Sequence, residues 1–165
     1  MADDIDSLIA RLATAGSDDR AAAAEQLCHA GAAAASAAVP LVQACGDADD
    51  RVREWAVAAL EDLGPPPADA LPGLAKAATS TVPLAAYWAI TLLGRAGQAA
   101  AGSASVLGDC LASTDAAVAQ RAAWALGKLG PAARVARGQL EIAAKAADAR
   151  LASLATQAIA AIGPA

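Results

Sequence analysis

Phenylalanine is absent from this sequence, and aromatic residues make up only 2% of it. That scarcity disfavours a sheet, because strands draw on β-branched and aromatic side chains. Histidine occurs once, at His29, and cysteine three times, at Cys28, Cys45 and Cys110, with no CxxC pair. Neither a zinc site nor a disulfide framework fits such spacing. Basic residues are few: 12 Lys and Arg against 17 Asp and Glu give a net charge of −5 and a pI near 4.7. Binding to nucleic acid through phosphate needs clustered cations, so the overall balance argues against that class of partner. No GxxxxGK[ST], HExxH or GxSxG motif occurs, and Gly97, Gly102 and Gly108 are too scattered for a nucleotide fingerprint. The reading is therefore of a non-enzyme with no catalytic residues, no metal and no cofactor.

Long apolar runs are missing too. Mean hydropathy is +0.41, yet Gly, Pro or a charge interrupts each alanine-rich run before the roughly 20 residues that span a bilayer. The first residues, Met1 to Asp6, are acidic and unlike a secretory signal. No membrane partner and a cytoplasmic location are the expectations.

What the chain has is alanine and a period. Hydrophobic residues reach 57%, and alanine, the best helix former, supplies most of them. Glycines that end helical stretches are read at Gly31, Gly64, Gly94, Gly130 and Gly163, with Pro65, Pro131 and Pro164 behind three of them. Four positions before these glycines stand Leu27, Leu60, Ile90, Leu126 and Ile159, and eight before them Ala23, Ala56, Ala86, Ala122 and Ala155. Those offsets share one face of a helix. Fifteen before stand Asp49, Thr79, Asp115 and Asp148, the residue types of an N-cap. A weaker helix precedes each of these, with apolar pairs such as Leu8/Leu12 and Leu107/Leu111. The pattern predicts one domain over 1–165, made of five antiparallel helical hairpins at about 4–30, 34–63, 68–93, 100–129 and 133–162. A single hairpin cannot bury its own apolar face, so the hairpins must stack.

Residues 47–64, from Asp47 to Gly64, and 115–130, ending Ala-Ala-Trp-Ala-Leu-Gly-Lys-Leu-Gly, resemble the second half of a HEAT repeat. The segments around Pro40 and Pro72 resemble the proline-containing first helix of the short bacterial, phycobilin-lyase-type HEAT-like repeats. The resemblance covers residues 5–163. It implies an all-α, right-handed α-α superhelix of the armadillo-like class, with second helices lining a concave surface. The family's Val-Arg pair survives only at Val52–Arg53, where the other repeats have Pro83, Ala119 and Ala152.

For function, the resemblance implies a scaffold or adaptor that binds another protein. Trp88 and Trp124, each six before its glycine, would be neighbours on the concave face. Tyr87, Gln120 and Lys128 would flank them as candidate partner-binding residues. Tryptophan dominates binding hot spots, but an indole here can equally pack over small alanines between second helices, and both readings stay open. Trp55 reads as inter-repeat packing. Cys28 and His29 are helix neighbours that do not face each other, and Asp47, Asp49 and Asp50 read as capping residues rather than a carboxylate dyad. Two other functions follow from the same residues. One is a chromophore-handling or lyase-type subunit. The other is a nucleic-acid binder using Arg121, Lys128 and Arg150 near Trp124. Charge is also uneven: residues 1–70 hold 4 basic and 13 acidic side chains, residues 71–165 hold 8 and 4. The uncharged C-terminal stretch from Leu151 makes weak self-association an alternative to a plain monomer.

Overall fold

The computed structural model describes residues 4–14 and 16–164. Among them there is no strand. Ten α-helices follow one another: α1 (Ile5–Thr14), α2 (Ser17–Ala30), α3 (Ala38–Ala44), α4 (Asp50–Asp62), α5 (Leu71–Ala77), α6 (Pro83–Ala96), α7 (Ala104–Cys110), α8 (Ala116–Leu129), α9 (Arg137–Ala143) and α10 (Ala149–Ile162). Consecutive pairs form five hairpins. In the last four, a 3-10 turn leads into a short first helix and a longer second helix follows.

The second helices owe their start and stop to local chemistry. Asp49, Asp115 and Asp148 sit in extended backbone and accept hydrogen bonds from the amides of Arg51, Val118, and both Arg150 and Leu151, which satisfies donors a helix start leaves orphaned. At the other end, φ is positive at Gly31, Gly64, Gly97, Gly130 and Gly163 and, among the described residues, at no non-glycine residue. These glycines recur at a constant interval of 33 positions.

The third repeat corrects the sequence reading. Gly94 does not end α6; the helix runs on to Ala96 and Gly97 takes the positive φ of 56°. The hairpin read as closing at 93 is therefore longer. Its N-cap moves by the same three residues, from Thr79 to Val82, which has no side-chain cap and is followed by Pro83. Gly94 is buried inside the helix for another reason: a Cβ there would lie 2.3 Å from Cζ3 of Trp124. It is a notch for an indole, not a helix stop.

One apolar core runs through the stack. Ala23, Ala56, Ala89, Ala122 and Ala155, eight before the five glycines, are all buried, as are Leu27, Leu60, Leu93 and Leu126 at the four-before position. Ile90 is buried as well, since α6 is enclosed on most sides. Small residues along the second helices let their backbones come close. The stretch Ser17–Ala44 has the length and composition of a membrane span. In the fold, however, it is α2, a 3-10 turn and α3, broken at Gly31, and α2 and α3 both pack on α4.

Stacking is not uniform. α2 packs along α4, α6 along α8, and α8 along α10, whereas α4 and α6 barely touch. At that seam α3 takes over, packing on both α5 and α6. The opened space is a groove of about 410 Å³ lined by Asp50, Arg53, Glu54, Val57, Glu61 and Leu84, among others. Arg95 of α6 straps its far end, donating to the carbonyls of Leu60 (2.7 Å) and Glu61 (3.1 Å) at the end of α4.

Candidate protein-binding groove

Three second helices, α6, α8 and α10, place the sequence-predicted side chains. Trp124 lies between α6 and α8, its ring against the bare backbone of Gly94, with the rest of the indole half-buried. Arg121, one turn earlier on α8, brings its guanidinium carbon 4.4 Å from the Tyr87 ring centroid and 4.9 Å from that of Trp124. It also donates a hydrogen bond to the Tyr87 hydroxyl. Lys128 puts its ammonium 5.8 Å from the Trp124 ring centroid. Cations within about 6 Å of an aromatic face are attracted by its quadrupole. Gln120 does not face solvent alone: its Nε2 donates to Asp148 Oδ2 at 2.7 Å, tying α8 to the start of α10.

Trp124 divides a groove between α8 and α10 into two pockets. One, of about 250 Å³, is lined by Tyr87, Gln120, Arg121, Arg150 and Leu154 as well as Trp124. The other, of about 310 Å³, has Lys128, Gln157, Ala158 and Ala161 around Trp124 and Leu154. No carboxylate lines either pocket. Partial burial, and then the positive charge of Arg150, push the Arg121 guanidinium below its ordinary pKa. Asp148, the nearby acid, is committed to capping α10 and to Gln120, contacts that hold its carboxyl below the usual value.

Trp88 is not part of this groove. With the helix stop moved to Gly97, Trp88 lies nine positions before it, where Trp55 stands in the preceding repeat, and only 7% of it is exposed. It stacks edge-on against Tyr87 with centroids 5.7 Å apart, and Arg95 lies 5.7 Å from its ring. Packing therefore accounts for Trp88, while Trp124 keeps an open face. Trp55 is half-buried and its ring centroid is 5.9 Å from that of His29 on α2. Sequence reasoning saw Arg121 and Arg150 only as nearby charges and missed Leu154. The constant 33-residue interval would have separated Trp88 from Trp124, because it puts them at different offsets.

The remaining candidates have structural partners. Asp47 receives Arg20 in a bidentate pair (2.7 and 2.8 Å), and that hydrogen bonding holds its carboxyl below the usual range. Burial pushes the Cys45 thiol up to about 12 and raises Cys110 too, the opposite of what a nucleophile needs. His29 lies near Glu25 at 3.8 Å on an exposed surface. No group of three or more potential metal ligands occurs among the described residues.

Known structures share this architecture. The chain is similar to a designed armadillo repeat protein solved with the peptide (KR)4, at 19% identity and a TM-score of 0.66, covering 96% of this chain and 81% of that one. It is similar to the complex of CpcE and CpcF of phycocyanin lyase from Nostoc sp. PCC7120, at 20% identity and a TM-score of 0.61, covering 93% and 96%. An engineered protein matches at 24% identity and a TM-score of 0.65, covering 97% and 79%. A comparison with curated protein sequences finds no match. The HEAT-repeat family profile matches residues 5–94, more than half of the sequence, so this all-α solenoid belongs to the HEAT-repeat family.

Proposed function

We propose that this chain is a non-catalytic scaffold that binds another protein on the face built by α6, α8 and α10. The observation that carries the reading is Trp124: a half-buried indole, fixed on one side by Gly94 and open on the other to two pockets. A rigid aromatic in a preformed groove offers large contact area with little rotamer entropy to lose. The pairing of Arg121 with Tyr87 pre-organises the rim. Similar solenoids support the reading: one of those above was solved holding a peptide, another as a complex of two proteins.

Affinity capture with the wild type and with Trp124→Ala tests it. A protein retained by the wild type and lost by the variant, with both chains fully folded at the assay temperature by circular dichroism, supports the reading. Equal retention by both overturns it. A lyase-type function has only likeness of fold in its favour, at 20% identity, and fold likeness carries no residue roles.

A further inference from the structure

The groove on α8 and α10 is cationic in a protein whose net charge is −5. Arg121 and Arg150 line the same pocket, and Lys128 lines the next. None of the three forms an ion pair among the described residues, although the Asp148 carboxylate attracts Arg150 from beyond ion-pair distance, whereas Arg20, Arg51 and Arg53 in the acidic half all do. Two guanidinium groups facing one small pocket repel each other, and Arg121 is partly withdrawn from water between two rings. Its hydrogen bond to the Tyr87 hydroxyl orients it but supplies no negative charge. A carboxylate entering that pocket would relieve the repulsion and make charge-assisted, bidentate bonds. Between the cationic positions the floor is apolar, with Leu154 common to both pockets beside Trp124.

We propose that this groove takes an acidic, extended peptide segment, with one carboxylate at Arg121 and Arg150, a second at Lys128, and an apolar side chain between them on Leu154 and Trp124. This rests on the protein-binding reading above and names the chemistry of the partner. Spacing sets the register. Arg121 and Lys128 are about 10 Å apart along α8 at 1.5 Å per residue. Side chains on one face of an extended chain recur at every second position, about 7 Å apart, so the two acids stand four positions apart with the apolar residue midway, a span of about 13 Å that the long Glu, Arg and Lys side chains close. The same cations disfavour a basic peptide such as the (KR)4 bound by the designed armadillo relative, because like charges brought together cost binding energy.

The test uses the three indole N–H resonances of the whole chain. Trp55 serves as the internal control, since it packs against His29 of α2 away from the groove, whereas Trp88 touches the pocket residue Tyr87. The probe is the blocked peptide Gly-Glu-Ala-Leu-Ala-Glu-Gly, which puts both acids and the leucine on one face of an extended chain, titrated to millimolar concentration beside its Gln-for-Glu version and (KR)4. The expected result is a saturable shift of the Trp124 resonance with the Glu peptide alone, at least tenfold weaker in the Lys128→Glu/Arg150→Glu variant. Both substituted positions are exposed, so the variant keeps the fold. Equal shifts from the Glu and Gln peptides would overturn acid recognition while leaving a peptide-binding groove in place. A Trp124 resonance that no peptide moves would overturn the inference and remove support from the binding reading as well. Undiminished binding of the Glu peptide by the double variant also overturns the inference.

Discussion

Where α6 meets α8, Gly94 and Trp124 interlock and the two helices run in contact; where α4 meets α6, the second helices part and leave an acidic groove. The connecting segments explain the contrast. At the closed seams the linker is a seven-residue 3-10 segment with two buried small residues: Ala34 and Ala37, Ala100 and Ser103, or Ala133 and Ala136. At the open seam the chain reads Gly64-Pro65-Pro66-Pro67, of which Pro66 is buried, and only Ala68–Ala70 form a 3-10 turn, none of whose three residues is buried. Proline has no amide hydrogen to close those bonds. The third hairpin therefore joins the stack differently: α3 rather than α4 supports α6. The seam also falls where the charge changes sign, between an acidic first part and a basic remainder. In a repeat protein, stability is the sum of repeat terms and nearest-neighbour interface terms, so a poor interface marks the place where cooperativity weakens.

The largest expected effect comes from Leu126→Ala in α8. Leu126 is fully buried, and truncation of such a leucine costs about 2–5 kcal/mol. Urea denaturation should show this loss, and hydrogen exchange should show it concentrated in α6 to α10 with α2 and α4 less affected. Equal loss of protection on both sides would mean that the open seam is no boundary.

Gly94→Ala should come next. Its Cβ would meet Trp124 at 2.3 Å, and overpacking of this kind costs about 1–3 kcal/mol. Gly127→Ala in α8 is the control, because its Cβ would find Ala158 at an ordinary 3.5 Å and alanine favours a helix by up to about 1 kcal/mol. Melting temperatures should fall for the first variant and hold or rise for the second. A similar response from both would show that the α6/α8 interlock does not depend on the notch.

Arg95→Met should have the smallest effect, about 1 kcal/mol for hydrogen bonds to the partly exposed carbonyls of Leu60 and Glu61. Exchange should quicken in the amides of the last turn of α4 and remain unchanged in α8. Unchanged exchange in α4 would show that Arg95 does not hold the seam.

Much of this was legible in the chain. The N-cap aspartates at 49, 115 and 148 and four of the five helix-ending glycines were read from residue type and offset alone. Gly94 was misread because one glycine serves two physical purposes: relief of a positive φ, and absence of a Cβ where another side chain must fit. Both leave the same letter in the same apolar surroundings, and Gly97 stood three residues away with the correct interval. That error carried Trp88 into the candidate site, since three residues rotate a helix position by about 60°.

By itself the sequence determined the helical class, the five-hairpin repeat and the apolar face of each second helix, because capping and 3.6-residue periodicity are local properties. The tertiary structure decided which aromatic stays open, which cations share a pocket and where the stack parts. Those depend on side chains from α6, α8 and α10 meeting across repeats, and on α3 rather than α4 packing against α6 beyond the proline-rich linker, neither of which is fixed by spacing along one helix.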